Sequence, residues 1–181
     1  MRYIVLAIIM VILIVGGYLA YTFITTKNHS PADTMVYQDG GFLLTIDYSR
    51  PYKKGRLIFG DVSEEPLLPY GQYLRTGANE ATEIDFNSDV RIEGKAIEAG
   101  RYRMFTFPGK ETWQIVLNSE LDKWGYAEPD YSLDVLRVSV PPIEADSVCE
   151  QFLIMAEPVQ SNQLQINLCW DKTIVPVLVE Y

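Results

Sequence analysis

Apolar and polar side chains alternate along the stretch Leu164-Gln165-Ile166-Asn167-Leu168-Cys169-Trp170. A period of two places the four apolar residues on one face of a β-strand, with the amides and the cysteine on the other face. Similar alternation occurs in Glu83–Phe86 and in Leu136–Val140. Strands with one buried and one hydrated face are typical of antiparallel sheets, so this pattern predicts an antiparallel architecture.

Short segments of the same kind recur from residue 40 to the C-terminus, separated by turn-forming residues such as Asn87-Ser88-Asp89 and Pro108-Gly109-Lys110. The predicted strands are Phe42–Tyr48, Gly55–Phe59, Ala81–Asn87, Val90–Glu93, Tyr102–Phe107, Thr112–Asn118, Leu133–Val140, Phe152–Met155, Leu164–Trp170 and Thr173–Val179. No window in this region has the period of an amphipathic helix. The sequence therefore predicts an all-β domain over residues 40–181, an antiparallel β-sandwich or jelly roll.

The N-terminal region is a long apolar run. Tyr3–Ile24 contains no charged residue, and its 22 residues extend about 33 Å as a helix, close to the thickness of the hydrocarbon layer. We predict a transmembrane signal anchor over residues 1–26, a polar linker over 27–39, and membrane contact through residues 3–24. Arg2 favours a cytoplasmic N-terminus, which places the domain on the outer side of the cytoplasmic membrane. A cleaved signal peptide remains the alternative.

Charge and histidine content exclude several classes of function. The formal net charge is −9, and the acidic side chains number 24 against 15 basic ones. Such a domain repels phosphate backbones, so no nucleic-acid partner is predicted. The single histidine, His29, lies beside the anchor, which excludes a Ser-His-Asp triad and a histidine-ligated zinc site in the domain. No calcium-loop spacing occurs, and we predict neither a metal nor a cofactor.

The two cysteines suggest a disulfide. If Phe152–Met155 and Leu164–Trp170 form a hairpin in which Ile154 opposes Leu164, then Cys149 opposes Cys169 on the outer face. Directly opposed residues lie within disulfide reach, and an extracytoplasmic compartment preserves such a bond. Two free thiols remain the alternative, because a slip in register separates them.

The candidate site is the polar stretch Arg75-Thr76-Gly77-Ala78-Asn79-Glu80-Ala81-Thr82. Arg75 offers a planar fork for a carboxylate or phosphate, and Asn79, Glu80 and Thr82 add polar groups. Arg50 and Arg56, with Lys54, are candidates to add positive charge beside Arg75; the alternative is a solvated turn whose cations are spread among the surplus acids. The alternative is a structural network in which Arg75 pairs with Glu80 or Asp85 and Asn79 caps a turn.

Aromatic residues and carboxylates offer two further hypotheses. Trp113 alternates with Ile115 and Leu117 and is predicted to lie in the core, whereas Trp124, Tyr126 and Tyr131 could form a platform for a sugar. Pairs of carboxylates, such as Glu80 with Asp85 or Asp122 with Asp130, are candidates for a glycosidase, although the sequence gives no separation between them.

A series of motifs resembles a known bacterial family, domain of unknown function 2911. The motifs are Tyr48-Ser49-Arg50-Pro51, Lys54-Gly55-Arg56, Ile58-Phe59-Gly60, Pro69-Tyr70-Gly71, Arg75–Thr82, Ala99-Gly100-Arg101-Tyr102, Phe105–Lys110, Trp113 and Trp124-Gly125. The resemblance runs from about residue 42 to residue 181. It implies an exported or membrane-attached bacterial protein and supplies no activity. This chain departs from the family pattern at Leu74, where tryptophan is usual, and in its longer acidic segment Asp61–Leu67.

Together these features predict a membrane-tethered, extracytoplasmic module that binds a small ligand or an envelope partner through Arg75–Thr82. Two alternatives of different classes stay open. One is a hydrolase that works through carboxylates without histidine, and the other is a structural envelope protein without a small ligand.

Overall fold

The computed structural model describes residues 2–181, except for the side chains of Ala7, Phe23, Ile24, Thr26 and Lys27; Met1, the first residue of the predicted anchor, lies outside the described residues. The helix α1 spans Arg2–His29. Its Arg2–Thr22 portion has a mean hydropathy of 2.7 and is long and apolar enough to cross a membrane.

The predicted polar linker over residues 27–39 is wrong. Helix α1 continues to His29, and the strand β1 then spans Ala32–Asp39. This strand pairs along its whole length with β2, Phe42–Ser49, through a turn at Gly40-Gly41. Met35 and Tyr37 are half-buried against the core while their neighbours are exposed. An apolar residue at an exposed position, Val36, and a polar residue at a half-buried one, Asp33, hid this alternation. The sheet therefore begins at Ala32, ten residues before the first predicted strand.

The remaining strands form two main sheets and one short pair. Their bounds are β3 Phe59–Gly60, β4 Leu68–Pro69, β5 Thr82–Phe86, β6 Val90–Ile92, β7 Lys95–Ile97, β8 Gly100–Phe107, β9 Trp113–Asn118, β10 Asp134–Val140, β11 Ile143–Gln160 and β12 Gln163–Glu180, with 3-10 turns at Val62–Glu64 and Tyr131–Leu133. One sheet has the antiparallel order β1-β2-β5-β8-β9-β10, and the other has the order β11-β12-β6-β7. Strands β3 and β4 pair in parallel.

The two main sheets enclose one hydrophobic core. Ile84 and Phe86 of β5 and Val138 of β10 are buried, as are Leu164 and Trp170 of β12. These are the inward faces that the period of two predicted, and Trp113 is a core residue as predicted. The predicted fold class, an all-β antiparallel domain after one apolar helix, is confirmed.

Three strand predictions differ from the structure. Residues 164–170 and 173–179 belong to the single 18-residue strand β12, because Asp171-Lys172, which resembles a turn in sequence, is an irregularity within the strand, where Asp171 has φ 55°. Strand β11 is likewise much longer than Phe152–Met155. In the predicted strand Gly55–Phe59, only Phe59 lies in a strand.

The cysteines are joined, but through a register different from the predicted one. Ile154 opposes Leu168 instead of Leu164, and Cys149 opposes Asp171. Bulges in the long hairpin on either side of Cys149 shift the pairing, and Cys149 and Cys169 form a disulfide with a Cα–Cα distance of 6.1 Å. Cys169 is buried and Cys149 is half-buried, so little of the bond is exposed to solvent.

Reduction of this disulfide should lower the free energy of unfolding by about 3 kcal/mol, because the bond closes a loop of this length in the unfolded chain. The sequence separation of the two cysteines is 20 residues. Denaturant unfolding of the full chain in detergent, with and without reductant, measures the difference. A Cys149→Ser, Cys169→Ala double variant should not respond to reductant. Equal stability of the oxidised and reduced protein would contradict the expectation.

Candidate functional site

The stretch from Arg75 to Ala81 is a loop that leaves the edge of β8 and returns to it. Leu74 forms two backbone hydrogen bonds with Thr106 of β8, of 2.8 and 2.9 Å. Thr82, the first residue of β5, pairs with Met104 on the same edge. Seven residues therefore connect two positions that are only two residues apart on β8, and the loop must bulge away from the sheet.

This compact loop requires unusual backbone angles. Thr76 and Asn79 have φ values of 54° and 60°, and Gly77 has φ 138°. The left-handed region is costly for a β-branched residue such as Thr76, and hydrogen bonds hold it there. The hydroxyl of Thr82 donates to the Thr76 carbonyl, and the hydroxyl of Thr76 lies 3.2 Å from that of Thr106.

Two of the predicted site residues belong to this scaffold. Thr82 is fully buried beneath the loop. Asn79 is also buried. Its side-chain amide donates to the Ser30 carbonyl (3.1 Å), and its backbone carbonyl accepts from the Gly125 backbone amide (2.9 Å). Asn79 thus joins the end of the helix to the segment 119–133, and the structure gives it a structural position instead of a ligand-facing one.

Arg75 is different, because it is half-buried and lacks an acidic partner. None of the ion pairs among the described residues includes Arg75, so the predicted alternative of a pair with Glu80 or Asp85 is not found. Burial lowers the pKa of the guanidinium, and the nearby Tyr73 and Tyr126 hydroxyls oppose this effect. A partly desolvated cation without a counter-ion is energetically unfavourable.

On one side of Arg75 lies a cleft of about 510 Å³, which we call the cationic cleft. Among the described residues its basic lining consists of Lys54, Arg56 and Arg75 together with His29, and no Asp or Glu of the described part lines it. Arg56 donates through Nε to the Lys53 carbonyl (2.9 Å), and Lys54 Nζ lies 3.4 Å from His29 Nδ1. The predicted proximity of Arg56 and Arg75 is therefore present in the structure.

Trp170 borders the cationic cleft. Its side chain is 3% exposed, and its indole N–H has no acceptor within the described part of the chain. The sequence placed Trp170 on the core face, and only the fold shows that it also borders a cleft.

On the other side of Arg75 lies a second cleft of about 770 Å³, the aromatic cleft. Tyr73, Phe107, Tyr126 and Tyr131 line it together with Arg75. Trp124 lines a different groove, so the predicted sugar platform of Trp124, Tyr126 and Tyr131 is divided between two surfaces.

Arg103, which is not among the predicted site residues, holds Tyr73 in the wall of the aromatic cleft. It is 1% exposed and donates to the Tyr73 hydroxyl (2.7 Å), to Glu120 (3.3 Å) and to the Ala127 carbonyl. Burial raises the pKa of Tyr73, whereas the hydrogen bond from Arg103 opposes the rise. The available signal was one arginine within the otherwise apolar run Tyr102–Phe107.

The last two predicted residues, Arg50 and Glu80, lie outside the cationic cleft. Arg50 forms an ion pair with Asp33 of β1 at 3.0 Å. Glu80 is exposed and lines a third groove. In the same groove the carboxylate of Glu83 accepts from Arg101 (2.6 Å) and from the Asp122 amide (2.9 Å). Among the described residues, no cluster of His, Cys, Asp and Glu is arranged to hold a metal ion.

The comparisons with known proteins identify a family without a function. The sequence model of the family described as "Protein of unknown function (DUF2911)" matches residues 30–179. Neither a curated protein nor a solved structure is similar to the chain. The match covers the whole sandwich and confirms the resemblance that the motifs indicated. The chain therefore belongs to the DUF2911 family.

Proposed function

We propose that this protein is a membrane-anchored binding module that holds an anionic group in the cationic cleft. The observation that carries the proposal is Arg75, which is half-buried and has no carboxylate partner in the described structure. An arginine presents a fixed, planar set of donors suited to a carboxylate or a phosphate. A bound anion would supply the missing counter-charge.

The distribution of charge supports this assignment. The chain has a net charge of −9, yet Lys54, Arg56 and Arg75, and no acidic side chain among the described residues, line the cationic cleft. In a protein with such an excess of acids, a cleft that contains only cations concentrates positive potential and attracts anions.

The cellular location is part of the same proposal. The apolar helix, followed directly by the sandwich, supports a single-pass anchor in the cytoplasmic membrane, and Arg2 favours an N-terminus on the cytoplasmic side. A disulfide between Cys149 and Cys169 is consistent with a domain in an oxidising, extracytoplasmic compartment of a bacterial envelope.

Inorganic phosphate should stabilise the wild-type protein, and an Arg75→Gln substitution should abolish the effect. At a phosphate concentration ten times the Kd, mass action contributes about 1.4 kcal/mol, or roughly 4 °C in Tm. The measurement is a thermal unfolding scan of the full chain in detergent, with chloride at equal ionic strength as the reference and with citrate as a carboxylate probe.

The matched control is Arg91→Gln, which removes an exposed arginine that does not line the cleft. This variant should keep the response of the wild type. If Arg75→Gln and Arg91→Gln respond equally to phosphate and citrate, or if the wild type does not respond to either anion, the cationic cleft is not an anion site.

A further inference from the structure

The cationic cleft lies at the end of the apolar helix and is fixed to it. His29, the last residue of α1, lines the cleft and lies within 3.4 Å of Lys54. Asn79 binds the Ser30 carbonyl, and the Arg50 amide binds the Pro31 carbonyl at 2.9 Å. Hydrogen bonds to the successive residues Ser30 and Pro31 thus hold the connection between helix and domain. They fix the position of the cleft along the helix axis.

The length of the helix sets that height relative to a bilayer. The portion Arg2–Thr22 has 21 residues and extends about 31 Å, which matches the hydrocarbon thickness. From Thr22 to His29 the helix rises about another 10 Å, whereas the polar layer on each side of a bilayer is about 5–8 Å thick. The cleft therefore lies where the lipid headgroups meet water.

We infer that the anion bound in the cationic cleft is the phosphate of a membrane phospholipid. This inference rests on the proposed function and specifies its ligand. Lys54, Arg56 and Arg75 supply the charges that a phosphate diester needs, and basic residues at this depth are attracted to anionic lipids by about 1 kcal/mol each. No free anion has to be captured from solution, because the lipid phosphates lie within a few ångströms of the level of the cleft.

The apolar part of the cleft is consistent with an amphiphilic ligand. Leu67, Leu68 and Leu74 line it beside the cations. The segment that connects Arg56 to Leu68 also exposes Leu57 and Val62, which suits contact with the interface of a membrane. This segment contains acids too, at Asp61, Glu64 and Glu65, but none of them lines the cleft.

Native mass spectrometry of the full chain, released from detergent with added phosphatidylglycerol, tests the assignment. We expect one tightly retained phosphatidylglycerol molecule per chain. A Lys54→Gln, Arg56→Gln double variant should weaken this binding at least about tenfold, because each lost contact is a charge-assisted hydrogen bond. A Lys110→Gln, Arg91→Gln variant removes the same charge from exposed sites outside the cleft and should bind as the wild type does.

The other outcomes separate the two proposals. Equal retention of diacylglycerol, which lacks the phosphate, would overturn the recognition of a lipid phosphate, as would an equal loss in both double variants. Stabilisation by inorganic phosphate without retention of phosphatidylglycerol would overturn the lipid assignment and leave the anion site intact. If neither phosphate nor phosphatidylglycerol binds, both proposals are wrong. Thermal unfolding of each variant establishes that it is folded, as expected for substitutions of exposed residues.

Discussion

An Arg103→Ala variant should lose about 3–5 kcal/mol of the free energy of unfolding, the range found when one partner of a buried charged network is removed. Arg103 is almost completely buried. Its loss would leave the Ala127 carbonyl and one side of the Tyr73 hydroxyl without a donor and would open a cavity beneath both. Glu120, the charged partner of Arg103, is 24% exposed and would be partly hydrated in the variant. This hydration limits the part of the destabilisation that comes from an unpaired carboxylate.

Denaturant unfolding of the full chain in detergent measures this effect. The control is Arg91→Ala, whose arginine is exposed and whose ion pair with Glu180 is 3.8 Å long; surface pairs of this kind contribute less than about 1 kcal/mol. Two variants of equal stability would show that the buried network around Arg103 does not stabilise the fold.

The sandwich was predictable from the sequence where each strand has one face in the core. In β5, β10 and the first half of β12 the apolar side chains alternate with polar ones, and the same side chains are buried. The prediction failed for β1, an edge strand of which even the inward side chains are only half-buried. Such a strand needs few apolar residues, so its sequence resembles a linker.

That missed strand also explains one error at the site. Arg50 was grouped with Arg56 by proximity in sequence, but it pairs with Asp33, which belongs to β1. Only the pairing of β1 with β2 places the charges of Arg50 and Asp33 together. Asn79 and Thr82 illustrate a different limit, since polarity alone does not distinguish a residue that binds a ligand from one that holds a loop in place.

Arg75 is a residue whose chemistry, but not its environment, was predictable from the sequence. Its chemistry marked it as a candidate anion-binding residue, and the alternative was a partner within the fold. Deciding between a bound anion and a partner within the fold requires the distances from Arg75 to the carboxylates, which only the tertiary structure provides. Arg75 forms no ion pair among the described residues and lies in the cationic cleft, and both observations support the anion-binding hypothesis.

Gly77→Ala should destabilise the protein by about 3 kcal/mol, because the substitution combines backbone strain with a steric clash. Gly77 has φ 138°, an angle that residues with a Cβ atom rarely adopt. A Cβ atom at this position would lie 2.8 Å from the Ser49 carbonyl oxygen and 3.2 Å from the Thr82 hydroxyl. Both groups are buried in the ends of strands β2 and β5, so neither can move away without disturbing the sheet.

Gly94→Ala is the matched control, since Gly94 also has a positive φ, 75°, but a Cβ atom there would meet no other atom within 4 Å. Its cost should be the backbone term alone, about 1–2 kcal/mol. Thermal and denaturant unfolding of the two variants isolate the effect of close packing at Gly77; equal losses would show that the loop can relax around a methyl group.

The same pair of variants tests whether the loop geometry determines binding. Gly77 and Ala78 line the cationic cleft beside Arg75, so a loop displaced by the new methyl group moves the guanidinium relative to Lys54 and Arg56. Gly77→Ala should therefore weaken the stabilisation by phosphate although it removes no charge, whereas Gly94→Ala should leave it unchanged. A Gly77→Ala variant that is destabilised but keeps the full phosphate response would show that the anion depends on net positive charge and not on the arrangement fixed by this loop.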